Sequence, residues 1–353
     1  MKLLSLRRPA VRAALLFLAC LAAAAVLFHP VRVESYEARI LARLPWGPEG
    51  VTAAGPEGGR RLGPRSFAVA ADGTLYIADT LAGRILVLSP DGRSLRALVP
   101  HGRGGAAVHV DDLAPAPDGR LFVADHAARA VWEVAPDGQA VPYYEVEAGE
   151  VRGWAVQGLA VDAEGRPVVD AVRLTPSSYE REIRRLEQDA AGTVLAKQIV
   201  DERGARVDGG RAVLPDSVES LGLGNDGRLY ALSPEGSAFT RLIHVFGADG
   251  RPLRALRVQT EAELRQSQIL GLDRWGGLYV GLNLGSPDGR IVKIDGRGRA
   301  VWSAPAPAAP DQPALGAYAR VDRDGNLYVL NPGAEGLEVQ KWVRHARWTL
   351  RLR

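Results

Sequence analysis

The chain has 353 residues, 46% of them hydrophobic and 24% charged, a globular balance with material for a large core. Its net charge of +3 misleads: Lys2, Arg7, Arg8 and Arg12 carry +4 within the first twelve residues, which leaves −1 for the rest, so no basic face supports nucleic-acid binding. The single cysteine, Cys20, lies in an N-terminal apolar run, and the remaining chain can hold no disulfide, cysteine nucleophile or zinc ribbon.

The first element is that run. Twelve residues with four basic side chains and no acid lead into sixteen uninterrupted apolar ones, Ala13 to Phe28, the pattern of a secretory signal or a signal-anchor. Sixteen residues span roughly 24 Å as a helix, short of a ~30 Å hydrocarbon core, and counting on to Val31 makes the segment just long enough. Ala22 and Ala24, or Ala23 and Ala25, offer a cleavage site. Positive charge ahead of the run puts the remaining chain outside the cytoplasm. Residues 1–31 are therefore a signal peptide or a transmembrane anchor, and the body is extracytoplasmic, either tethered to the membrane by that helix or secreted.

From residue 32 the chain repeats itself. Residues 72–93, "DGTLYIADTLAGRILVLSPDGR", are echoed by "DGRLFVADHAARAVWEVAPDG" (118–138), "DGRLYALS" (226–233) and "DGNLYVLN" (324–331), with weaker copies at 164–171 and 275–283. The second residue of each opening pair is Gly73, Gly119, Gly165, Gly227, Gly276 or Gly325, at spacings of 46, 46, 62, 49 and 49. Six such copies are supersecondary units, each too small to bury its own core. Each reads strand, Asp-Gly turn, strand, longer loop, strand, turn, strand, with the Asp-Gly pairs expected as type I′ hairpins. The fold class that follows is all-β: a six-bladed β-propeller of four-stranded antiparallel blades over 32–353, preceded by the N-terminal helix. In the third unit, "REIRRLEQDAAGTVLA" aligns with a third and fourth strand and is read so, although its spacing also suits a short helix. Either "ARILARLPWGPEG" (38–50) or "ARWTLRLR" (346–353) fills the last slot and closes the ring.

These residues resemble the NHL-repeat family of six-bladed propellers, most closely at 67–92 and 113–138. The family pattern places Asp after the second strand and Arg near the start of the third, matched by Asp79 and Arg84 and, in the second unit, by Asp125 with Arg129 one position early. That resemblance implies a fold, and by analogy a binding or sensing module for a protein, peptide or glycan at the loop face. Asp79 and Arg84 are expected to pair and tie their loop.

Candidate chemistry gathers where the innermost strands begin, around the central channel. Seven residues before each turn stand Arg65, Asp111, Gln157, Glu219, Gln268 and Ala317, and one place later Ser66, Asp112, Gly158, Ser220, Ile269 and Tyr318. Arg65, Asp111, Asp112, Gln157, Glu219, Gln268 and Tyr318 form the expected ligand-binding set at the channel mouth. His101, His109, His126 and Tyr179 are loop-face candidates. The alternative function is a metal-dependent hydrolase or lyase at the same mouth, with Asp111, Asp112 and Glu219 as weak metal candidates and calcium as the hard cation that suits oxygen donors; Arg65 on that ring argues against it. No cofactor is otherwise expected. Gluconolactonase-like propellers use a glutamate and asparagine-rich metal set here, and the resemblance does not extend to Arg65 or to a body with only four asparagines. The sequence has no phosphate-binding glycine loop, nucleophile elbow or H-E-x-x-H.

Overall fold

A computed structural model describes residues 28–55, 61–93, 95–145, 154–174, 179–188, 194–201, 205–207, 210–212, 218–224, 227–248, 251–261, 263–308 and 312–352. The N-terminal run up to residue 27 lies outside the described residues. A strand begins at Phe28, so the last four residues of the 1–31 segment are extended rather than helical. Among the described residues no helix is long and apolar enough to cross a membrane.

Six four-stranded antiparallel sheets make the six blades expected from the repeat. Their inner strands are Ser66–Val69, Asp112–Pro115, Trp154–Val161, Ser220–Leu223, Ser267–Leu272 and Ala319–Val321. Each neighbours the next, and the last meets the first, which closes the ring. The third unit's doubtful segment is strand: Tyr179–Gln188 pairs with Pro167–Leu174 on one side and Val194–Asp201 on the other. A small hairpin, Ala205–Val207 with Gly210–Ala212, lies between the third and fourth blades in the chain.

The two rivals for the closing slot resolve cleanly. Phe28–Pro45 lies beside Gly336–Leu352 in the sixth blade and completes it. The C-terminal "ARWTLRLR" is not a fourth strand but a continuation of the third, since Gly336–Leu352 runs seventeen residues without a turn signal. By compactness the ring comprises Ala38–Val343. A separate unit takes in described residues 28–37 and 344–352, where Glu34 pairs with Arg344 and the Glu37 carboxylate lies 3.3 Å from His345 Nε2.

The turns differ from expectation in type. A type I′ turn needs positive φ at both central residues, yet Asp72 is not left-handed while Gly73 has φ +88°. Gly73 N–H donates to Ala70 O and Ala70 N–H to Thr74 O, which describes a type I turn closed by a glycine bulge. The same bond pair recurs at Gly119, Gly165, Gly227, Gly276 and Gly325, all with positive φ. The aspartate one residue earlier is there to accept: Asp72 Oδ1 takes the Thr74 N–H at 2.9 Å.

The core is a set of seams between blades. Phe67, Leu75, Ile77, Leu86 and Leu88 of the first blade pack on Leu330, Leu337 and Val339 of the sixth, and Ala78, Ile85 and Val87 pack on Val108, Val110, Leu113 and Leu121 of the second. Alternation within each second strand supplies both faces, because a blade is buried on both sides.

Candidate functional site

Asp79 and Arg84 form the expected pair, Nε to Oδ2 at 2.8 Å. The clamp is wider than a loop tie. Fully buried Asp79 also accepts Thr52 N–H at 3.0 Å and Thr52 Oγ1–H at 3.2 Å, while Arg84 Nη2 donates to Gly50 O. Asp125 does the same for the second blade, accepting His109 N–H and Ala128 N–H. Asn283 does it for the fifth, accepting Arg265 N–H, one position later than the count from glycine gives. These are structural staples of the ring.

The channel-mouth set is a site of another kind. A central cavity of about 1020 Å³ is lined by Arg65, Asp111, Asp112, Gln157, Glu219 and Gln268, together with His126, Asp170 and Arg320. Tyr318 is not among the lining residues; it is buried in the first seam, where its hydroxyl accepts Leu315 N–H. Its inner strand begins later than the others, at Ala319, and that shift takes Tyr318 out of the ring. Of the loop-face candidates, His126 lines the cavity and His101 and His109 do not. His101 Nδ1 instead sits 3.1 Å from Val99 O in an exposed loop. The side chain of Tyr179 lies outside the described residues.

The acids at the mouth are engaged by the protein itself. Arg65 Nη1 donates to Asp111 Oδ1 at 2.8 Å, and His126 N–H to Asp111 Oδ2 at 2.9 Å. Asp112 accepts Ser66 Oγ–H at 2.6 Å, Leu113 N–H at 2.9 Å and, from the third blade, Leu159 N–H at 2.8 Å. Glu219 is held by Arg241, 2.8 Å away and itself buried. A hard cation needs six or more oxygens free to turn toward it. No group of three or more His, Cys, Asp or Glu that could hold a metal converges among the described residues, and the donor set fits calcium poorly.

His126 has a distinctive setting. Burial pushes its pKa below the ordinary 6.5; Asp111 pulls it back up, and Arg65 adds to the lowering. Nδ1 lies 3.8 Å from Asp111 Oδ2, too far for a hydrogen bond, and Nε2 is buried without a partner. At neutral pH this is a neutral imidazole facing the cavity.

Sequence reasoning missed Arg320. Its signal was available: five residues before each turn glycine stand Ala68, Ala114, Ala160, Gly222, Gly271 and Arg320. All six line the cavity. Five blades present a small residue there, and the sixth presents a guanidinium. Missed too is the apolar wall between the third and fourth blades, where Val168, Val172, Ile183, Val218, Leu221, Leu223 and Leu229 border the same cavity and all but Val172 belong to one packed cluster.

No family model and no curated protein matches the sequence, so the NHL-repeat likeness stands as a resemblance. Among solved structures the chain is similar to a gluconolactonase from Xanthomonas campestris (17% identity, TM-score 0.52, covering 88% of this chain and 100% of that one). It is also similar to a calcium-binding protein, regucalcin, from Agrobacterium tumefaciens (12%, 0.52, 87% and 95%) and to a luciferin-regenerating enzyme (13%, 0.52, 88% and 95%). At these identities the likeness establishes the six-bladed fold and nothing finer.

Proposed function

We propose that the protein is a ligand-binding module that takes a small molecule, or the end of a peptide or glycan chain, into its central cavity from the face where the inner strands begin. The supporting observation is the cavity itself. At about 1020 Å³ it has the size of a small-molecule site, and it combines an apolar wall with a few convergent polar groups. The N-terminal segment fits this role as an export signal or membrane anchor, which would present the ring outside the cytoplasm.

The test is a ligand screen by thermal shift followed by calorimetric titration, with Ala160→Phe as the blocking variant. A ligand at a hundred times its Kd adds about 2.7 kcal/mol of stability. Ala160→Phe should abolish that gain while retaining the fold. Equal binding by wild type and Ala160→Phe would place the ligand elsewhere.

A second reading, a cation-dependent hydrolase or lyase, draws on the names of the similar structures, a gluconolactonase and a calcium-binding protein. Asp111, Asp112 and Glu219 would be its oxygen donors, and each already accepts from the protein. Calcium titration monitored by melting temperature separates the readings: a saturable rise abolished by Asp112→Asn favours the enzyme, and no response favours the binding module.

A further inference from the structure

We propose that the ligand of the central cavity is an apolar-tailed carboxylate, its anionic head bound by Arg320 and its tail lodged in the seam between the third and fourth blades. The inference rests on the reading of the cavity as a ligand site and names the chemistry that site selects.

Arg320 is the only one of six equivalent positions that is not alanine or glycine. A ring of small side chains clears space around it, and it reaches into that space. Among the described residues no carboxylate pairs with it. Among the described residues it donates to the adjacent Ala319 carbonyl at 3.1 Å, and its guanidinium lies 5.5 Å from the centre of the Phe67 ring. Burial lowers its pKa, with Asp112 as the opposing influence, and Asp112 is itself committed to three other donors. Arginine stays charged at any physiological pH, so this is a half-buried cation with no carboxylate in ion-pair contact among the described residues. Such a group is costly unless an anion completes it. The other cavity arginine, Arg65, is spent on Asp111.

One available guanidinium, with Asp112, Asp170 and Glu219 lining the same space, suits a monoanion and repels a phosphate dianion. A planar carboxylate matches the guanidinium fork. In a six-blade ring the sixth blade lies opposite the third, so Arg320 faces the apolar seam across the channel. There Val172, Leu221 and Leu223 are only partly buried. Head and tail sites are thus opposed within one cavity.

The probes are sodium octanoate and octanamide, with a hexapeptide ending in Val-Leu as free acid and as amide. They are titrated into wild type, Arg320→Gln and Arg320→Met, and melting temperatures are recorded without ligand. The expected result is that octanoate binds wild type at least tenfold more tightly than octanamide. Arg320→Gln removes that preference, and Arg320→Met melts higher than wild type by about 2 °C or more because an uncompensated cation has gone. Binding of the peptide acid but not octanoate, with the same Arg320 dependence, would support the inference with a chain terminus as the source. Equal affinity for acid and amide, unchanged in Arg320→Gln, would overturn it and leave the cavity reading intact. So would a fall in the melting temperature of Arg320→Met with octanoate affinity retained, the mark of a structural arginine. Failure of every probe, charged or neutral, to bind would overturn both.

Discussion

The seam between the second and third blades and the seam between the third and fourth are built from the same repeat, and they behave oppositely. In the first, Asp112 reaches across and takes Leu159 N–H. The corresponding residue of the fourth blade, Ser220, accepts Ile269 N–H from the fifth at 3.0 Å. In the third blade that position is Gly158, which has no side chain to offer and lines the central cavity. A side chain at this position staples the second blade to the third and the fourth to the fifth, and the seam that follows Gly158 lacks that staple and borders the cavity where the ligand tail is proposed to fit.

The comparison can be broken most forcefully on its closed side. Asp112→Ala removes an acceptor used by three donors from three blades and should cost about 3 kcal/mol, since it strands buried donors; chemical denaturation measures this, and a loss under 1 kcal/mol would deny the staple. Ser220→Ala, which strands a single donor, should cost about 1–2 kcal/mol by the same assay. Gly158→Ser runs the comparison in reverse. A Cβ there meets nothing nearer than Asp170 Cβ at 3.5 Å, so serine fits. It should stabilise the ring by about 1 kcal/mol while weakening cavity ligands, an opposition that calorimetry on one variant can show.

The smallest effect is one of pH. His126 is held below its ordinary 6.5 by burial, so the unfolded chain binds its proton first. The stability its neutral burial allows is complete above 6.5 and is lost as pH falls from there through the lowered folded-state value. His244, lowered chiefly by burial, adds a contribution of the same sign. A melting-temperature profile should therefore drop on the acid side of 6.5, less steeply in His126→Gln. Arg65→Ala, which removes a lowering influence and frees Asp111, should raise the His126 pKa followed by NMR.

The ring was legible in the sequence because it is a matter of period. Six glycine turns, four of them Asp-Gly and most of them 46 to 49 residues apart, dictate repeated hairpins wherever the side chains point, and Asp79 and Arg84 were readable as a pair because both stand in one repeat. The mouth was half legible. Counting back from the turns found Arg65, Asp111 and Gln157, but the count assumes every inner strand starts at the same place. The late start at Ala319 moved Tyr318 out, and a count confined to the strand entries passed over Arg320, two places further in. Turn type escaped because Asp-Gly serves a type I turn with a glycine bulge as readily as type I′. The unstapled seam escaped because Gly158 looks like any glycine until the staples on either side are seen.

The central claim is that ligand lies between Arg320 and the unstapled seam. Methyl-labelled Ile, Leu and Val side chains, observed by NMR during an octanoate titration, test it directly. The account predicts saturable shifts concentrated at Val172, Leu221 and Leu223, absent in Arg320→Gln. Shifts at the closed seam around Val131, Val169 and Leu186, with those three residues silent, would contradict it.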